Sequence, residues 1–300
     1  MDASSNEGAE FNKTVKRSKN EDIEIFKLLQ SNNINSISYS EIKNRQLIKI
    51  MYYGIIVRGQ WHNKIVIMKH ISKELTNWNI ELRKLATIKH QNILEFLGTS
   101  VDLETKSYFA VLEYVNNGNL HDYLSEHEDL NWIQRIQISK EIASGLEYLH
   151  NNIEMIHRNL NTKAIFINEG KAKISNPVLS ELNIDTSPSI SLQGWMIAFI
   201  DVELLKDPNP TFTVKSDVYS LGFVMWSISS GKFPFENFTS QIELVKRIFS
   251  ENLREDPVNG TPKAYLDLYQ KCWRSDSKER PSTQEVYNQL ELMLHEESLS

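Results

Sequence analysis

The sequence predicts an α+β fold in two lobes, a small β-rich lobe carrying one helix followed by a mainly helical lobe. Three observations predict it. Between residues 47 and 113, short runs rich in β-branched and aromatic residues recur, separated by turn residues. One apolar stripe at helical spacing, Leu82, Leu85 and Ile88, interrupts them. From residue 131 onward the periodicity is helical in one segment after another.

The elements follow in chain order. Residues 1–20 are polar and read as a disordered tail, with Lys13, Lys16, Arg17 and Lys19 as a solvated basic cluster. In 21–30, Ile23, Phe26 and Leu29 share a helical face behind acidic first-turn residues. With the apolar stretch 34–42, residues 21–46 read as a short helical extension bracing the main domain. It is too small to stand alone. Strands are expected at 47–57 and 64–70 with a turn at 58–63, then a helix at 79–88 and strands at 93–100 and 108–113. Helices are expected at 131–151, 217–231, 241–250, 263–273 and 282–296. The main domain is thus 47–295, divided at 115/116, and 296–300 form a tail.

Composition bounds the function. The chain has 300 residues and a net charge of -6, which argues against a nucleic-acid partner. The single cysteine, Cys272, excludes a disulfide framework and suits a reducing compartment. No apolar run approaches the roughly 20 residues that a membrane span needs. The start, Met1-Asp2-Ala3-Ser4-Ser5, lacks a signal-peptide core and the glycine needed for myristoylation. A cytoplasmic location is expected, with the nucleus as the alternative.

Five motifs occur in a fixed order. They are Val111-Leu112-Glu113-Tyr114-Val115 with Gly118-Asn119-Leu120, Ile142-Ala143-Ser144-Gly145-Leu146-Glu147-Tyr148-Leu149-His150, His157-Arg158-Asn159-Leu160, Ser216-Asp217-Val218-Tyr219-Ser220-Leu221-Gly222, and Lys271-Cys272-Trp273 with Arg280-Pro281. Together they resemble a protein kinase domain of the tyrosine-kinase-like serine/threonine type. The resemblance implies the two-lobed protein kinase fold, with 79–88 as its αC-type helix and 111–115 as its hinge.

The resemblance also assigns an ATP site. The third glycine of the phosphate-covering loop matches Gly54, while Lys49 and Met51 hold the first two positions. The phosphate-binding lysine matches Lys69 and its helix partner Glu81. Lys49 is read as a solvated strand-edge lysine. The hinge contributes Glu113 and Val115. Ile67 and Phe166 stand where the family has alanine and leucine on opposite walls of the adenine slot, and are expected to narrow it.

The chemistry is missing. The proton acceptor of H-R-D is Asn159. An amide accepts a hydrogen bond from a hydroxyl but does not take its proton at neutral pH. Losing such a group slows a reaction by roughly 10²–10⁴. The two metal-binding positions are Ala164 and Asn176, the latter followed by Pro177 and Val178 in place of Phe-Gly. Magnesium needs anionic oxygens in octahedral array, which a methyl and an amide do not supply. The structural residues persist: His157 as a core histidine, Arg158 facing the activation segment, Asp217 accepting from the loop backbone, and Glu203 paired with Arg280.

The sequence therefore reads as a pseudokinase, a protein kinase domain without catalysis that acts in signal transduction as scaffold or allosteric regulator. Its expected partners are other signalling proteins, active protein kinases among them. No cofactor is expected, with ATP binding weak or metal-independent. The alternatives are a divergent ATP-dependent serine/threonine kinase and a metal-independent nucleotide-binding switch.

Overall fold

The computed structural model describes residues 34–51, 54–71, 78–175, 194–206 and 211–297. The expectations for the tail at 1–20, the helix at 21–30, and Asn176, Pro177 and Val178 lie outside the described residues. The chain divides into two compact units, Met1–Thr87 with Phe96–Glu113 and Ile88–Glu95 with Tyr114–Ser300.

The first unit is a five-stranded antiparallel sheet of order β1-β2-β3-β5-β4. Its strands are β1 (Ile42–Met51), β2 (Gly54–Trp61), β3 (Lys64–Ile71), β4 (Phe96–Asp102) and β5 (Ser107–Glu113). Among the described residues of this unit the single α-helix is α1 (Trp78–Thr87), which packs on β4 through a face that buries Leu82 and Leu85. On the other side Val57, Val66, Met68, Phe109 and Val111 form a buried cluster closed by Ile37 and Ile42. Residues 35–37 run beside β4, with the Ile37 N–H donating to the Thr99 carbonyl at 2.8 Å.

The helical extension expected up to residue 46 is corrected here. Residues 34–41 are extended apart from one 3-10 turn, Tyr39–Glu41, and β1 begins at Ile42. The pairing slips between Lys43–Gln60 and Gln46–Arg58, around Asn44 at φ 50°. That bulge breaks the two-residue alternation by which a strand is recognised in sequence. Ile93, expected to start a strand, instead bridges Ile174 in the second unit, and β4 starts at Phe96.

The second unit contains α2 (Leu120–Glu126), α3 (Trp132–Asn151), the hairpin β6 (Ile165–Asn168) and β7 (Lys171–Ile174), then α4 (Gly194–Ile197), α5 (Val202–Lys206), α6 (Val214–Ser230), α7 (Gln241–Ser250), α8 (Lys263–Cys272) and α9 (Thr283–Glu297). Capping boxes fix the starts of α3 (Asn131 with Gln134) and α6 (Thr213 with Ser216). Helix α6 is the axis of the unit, buried all round from residue 216 to 229. Its turns pack against α8, and α9 lies along α3. Gly145 lets α3 approach the 88–95 segment, since a Cβ there would meet the Asn92 carbonyl oxygen at 2.6 Å. The apolar run after Gly194 is packed at its centre, with Ile197, Ala198 and Phe199 buried.

Cys272 closes α8 with no exposed surface, and burial pushes its thiol up to about 12. Thiolate is the reactive form. Alkylating reagents at pH 8 are therefore expected to modify the native protein at a rate set by unfolding. Modification as fast as that of a free thiol would contradict the packing of α8 on α6.

Candidate active site

Within the first unit, Lys69 sits mid-strand in β3, opposite Ile56 of β2 and Ala110 of β5. It is 7% exposed, and burial, with the charge of Lys49 second, lowers its pKa to about 8. Glu81 lies on α1, but its side chain, and so the expected Lys69–Glu81 pair, lies outside the described residues. Gly54 opens β2 at φ 148°, and a Cβ there would stand 2.4 Å from the His70 ring. Its backbone freedom thus serves the packing of the hairpin on His70. Ile67 is half-buried between Arg58 and Leu112, and Glu113 ends β5 opposite Val66.

Within the second unit, the 157–164 loop is held from below by Asp217, 1% exposed in the first turn of α6. One carboxylate oxygen accepts the His157 N–H at 2.7 Å and the other accepts the Arg158 N–H at 2.8 Å. His150 Nε2 donates to the same carboxylate at 2.8 Å. Arg158 has φ 66°, a left-handed backbone that an L-residue adopts only when its neighbours impose it. His157 is fully buried and donates through Nε2 to the Ser175 carbonyl at 3.0 Å.

A residue the sequence reading passed over organises the rest of the loop. Asn161 is 6% exposed, and its amide nitrogen donates to both the carbonyl and the side-chain oxygen of Asn159, each at 3.0 Å. Its amide oxygen accepts from the Lys163 and Ala164 N–H groups at 3.0 and 3.1 Å. The signal was available: a short amide side chain two residues before a bend is the usual local backbone acceptor. The Asn159 oxygen that faces this contact belongs to a neutral amide.

Ala164 presents a buried methyl, and its backbone is spent on Asn161 and Ser175. Ala164 offers no oxygen ligand at this position. No three acidic, histidine or cysteine side chains converge to hold a metal among the described residues. Phe166 is half-buried on β6 and bridges Asn119; Val115, also half-buried, lies in the irregular stretch before Asn119.

The expected Glu203–Arg280 pair is overturned. Arg280, 2% exposed, forms a bidentate pair with Asp201 at 2.6 and 2.7 Å. Its remaining donors reach the carbonyls of Arg274, Lys215 and Ser275. Glu203 instead accepts the Ser277 N–H at 3.0 Å, and its own N–H donates to Asp201. The planar guanidinium fork takes one carboxylate edge-on. Asp201, at the buried start of α5, is the acid that reaches it.

Comparison with known proteins follows the same lines. A family model described as protein tyrosine and serine/threonine kinase matches residues 42–290. The chain is 29% identical over 287 residues to the tyrosine-protein kinase transmembrane receptor Ror of Drosophila melanogaster, covering 88% of this chain and 41% of that protein. It is 29% identical over 265 residues to a dual specificity protein kinase of Dictyostelium discoideum, covering 86% and 19%. With the serine/threonine-protein kinase A-Raf of Mus musculus it shares 26% over 271 residues, covering 85% and 44%. The chain spans less than half the length of each of these relatives. No helix among the described residues is long and apolar enough to cross a membrane.

Proposed function

The chain belongs to the protein tyrosine and serine/threonine kinase family, and from that premise we propose that it is a catalytically inactive member acting through protein–protein contacts. One observation carries the reading. The 157–164 loop keeps its backbone anchors to Asp217 while the positions that would take a proton and bind a metal are Asn159 and Ala164. Phosphoryl transfer depends on positioning and charge neutralisation, and here the positioning frame persists without the charges. Such a protein offers kinase-like surfaces to signalling partners, active protein kinases included, in the cytoplasm. ATP with magnesium binds weakly on this reading, because the metal ligands are missing and Ile67 and Phe166 add bulk at the adenine walls. The naming of the relatives as serine/threonine and tyrosine kinases is what favours the second reading, a divergent ATP-dependent serine/threonine kinase.

The test is phosphotransfer to a generic protein substrate with magnesium or manganese, run beside Lys69→Met. Wild type is expected to equal the Lys69→Met background under both metals. Incorporation by wild type that Lys69→Met abolishes would replace the inactive reading with the enzyme.

A further inference from the structure

We infer that residues 21–30 of this chain dock as a helix on the outer part of the sheet in the first unit, covering Leu47, Ile48 and Ile50 of β1. The inference does not depend on whether the chain catalyses.

The register of β1 creates the docking surface. Leu47 lies opposite Val57, and Ile50 lies opposite Ile55. Val57 belongs to the buried cluster of this unit, and Ile55 packs against it. Directly paired residues share a face of the sheet, so Leu47 and Ile50 carry the face of that cluster out toward the edge. In a regular strand, residues 47 and 50 would point to opposite faces. Here the pairing slips between Leu47 and Lys49, and the extra residue, Ile48, brings Ile50 back to the side of Leu47. Leu47, Ile48 and Ile50 are 56%, 54% and 73% exposed. They stand on an edge strand of the sheet. Proteins ordinarily cover such an apolar edge, because left open it pairs with other chains.

The chain that precedes the unit supplies the occupant. Ile23, Phe26 and Leu29 share one helical face in 21–30. A helix of ten residues needs a packing surface, since its own hydrogen bonds do not hold it in water. Only residues 31–33 separate this segment from Ile34, which is buried, and 35–37 run beside β4. In the order β1-β2-β3-β5-β4 four strand spacings, about 19 Å, lie between β4 and β1. A three-residue link reaches about 10 Å and a ten-residue helix about 15 Å, so together they span the sheet. Charge points the same way. Strand β1 carries Lys43, Arg45 and Lys49 and no acidic residue, whereas 21–30 opens with Glu21, Asp22 and Glu24. The stem of Arg45 lies on the face of the cluster, its Cγ 3.7 Å from where a Gly59 Cβ would stand. A second copy docked through the same face would instead set one cationic strand against another.

The experiment measures alkylation of an added cysteine in the full chain, Leu47→Cys or Ile50→Cys, with Gln60→Cys as the exposed reference on the other face. Cys272 is fully buried and gives only a slow background. Both reporters should react at least about tenfold more slowly than the reference, whatever the protein concentration. Adding Phe26→Asp should return them to the reference rate, and Phe26→Leu should keep them protected. In the reverse direction, Ile50→Asp should speed tryptic cleavage after Lys27. Reporters as fast as Gln60→Cys, or cleavage unchanged by Ile50→Asp, would overturn the inference and leave the face open to solvent. Protection that grows with protein concentration would overturn it in favour of a second copy. Protection that survives Phe26→Asp would assign the cover to another part of the chain.

Discussion

Replacing Asp201 with alanine is expected to destabilise the second unit by about 3–5 kcal/mol, the usual consequence of stranding one member of a buried ion pair. Both side chains of the pair are essentially without solvent, at 0% for Arg280 and 2% for Asp201. The guanidinium cannot lose its proton to escape. Its other donors stay bonded to carbonyls, which hold it in place without balancing its charge. Asp201 also receives the Glu203 N–H at the start of α5. Glu203→Ala should cost far less, about 1 kcal/mol, because it removes one half-buried acceptor from Ser277. Chemical denaturation of the two variants beside wild type decides the matter. Equal losses, or a larger loss for Glu203→Ala, would mean that Arg280 is held by Glu203 after all. The loss expected for Asp201→Ala is a large share of the 5–15 kcal/mol that holds a typical domain together.

Asp217→Ala is the second large effect, on the order of 3–5 kcal/mol, from buried donors left without an acceptor. Three donors converge on this carboxylate: two loop N–H groups and His150. The variant should also act locally. Arg158 holds a left-handed backbone that costs roughly 1–2 kcal/mol relative to a right-handed one, and its N–H bond to Asp217 is part of what enforces it. Amide exchange in 156–164 should therefore accelerate at temperatures where α3 and α6 remain protected. Uniform destabilisation with unchanged relative protection of the loop would show that Asp217 supports the whole unit and not the loop in particular.

Much of the fold was legible because its helices carry clean apolar periodicity. The segment 241–250 coincides with α7, and α3, α8 and α9 lie within a residue of the reading at either end. What hid was local irregularity. The bulge at Asn44 disguised the start of β1, and α2 and the β6–β7 hairpin are too short for periodicity to announce them. At the candidate site the identities of Asn159 and Ala164 were readable, since the loss of a carboxylate or an amide oxygen is a one-residue fact. Partner choice was not. Asp201 and Glu203 are two residues apart, and only the fold decides which meets an arginine 79 residues away. The bonding of Asn161 within its own loop is different, since its partners lie within three residues and were open to sequence reasoning.

The pairing of α3 with α9 has a consequence for synthesis. Helix α3 buries Ile142, Leu146 and Leu149, and α9 contributes Val286 and Leu290 to the same unit. His150 at the end of α3 meets Thr283 at the start of α9, 133 positions later in the chain. At 5–20 residues per second the ribosome needs roughly 7–27 s to make that stretch. Helix α6, emerging midway, has no solvent-compatible face to show in the interval. The nascent second unit thus passes through a long period in which its most apolar helix is made before the helices that complete its burial, and in that window it is a natural client for chaperones.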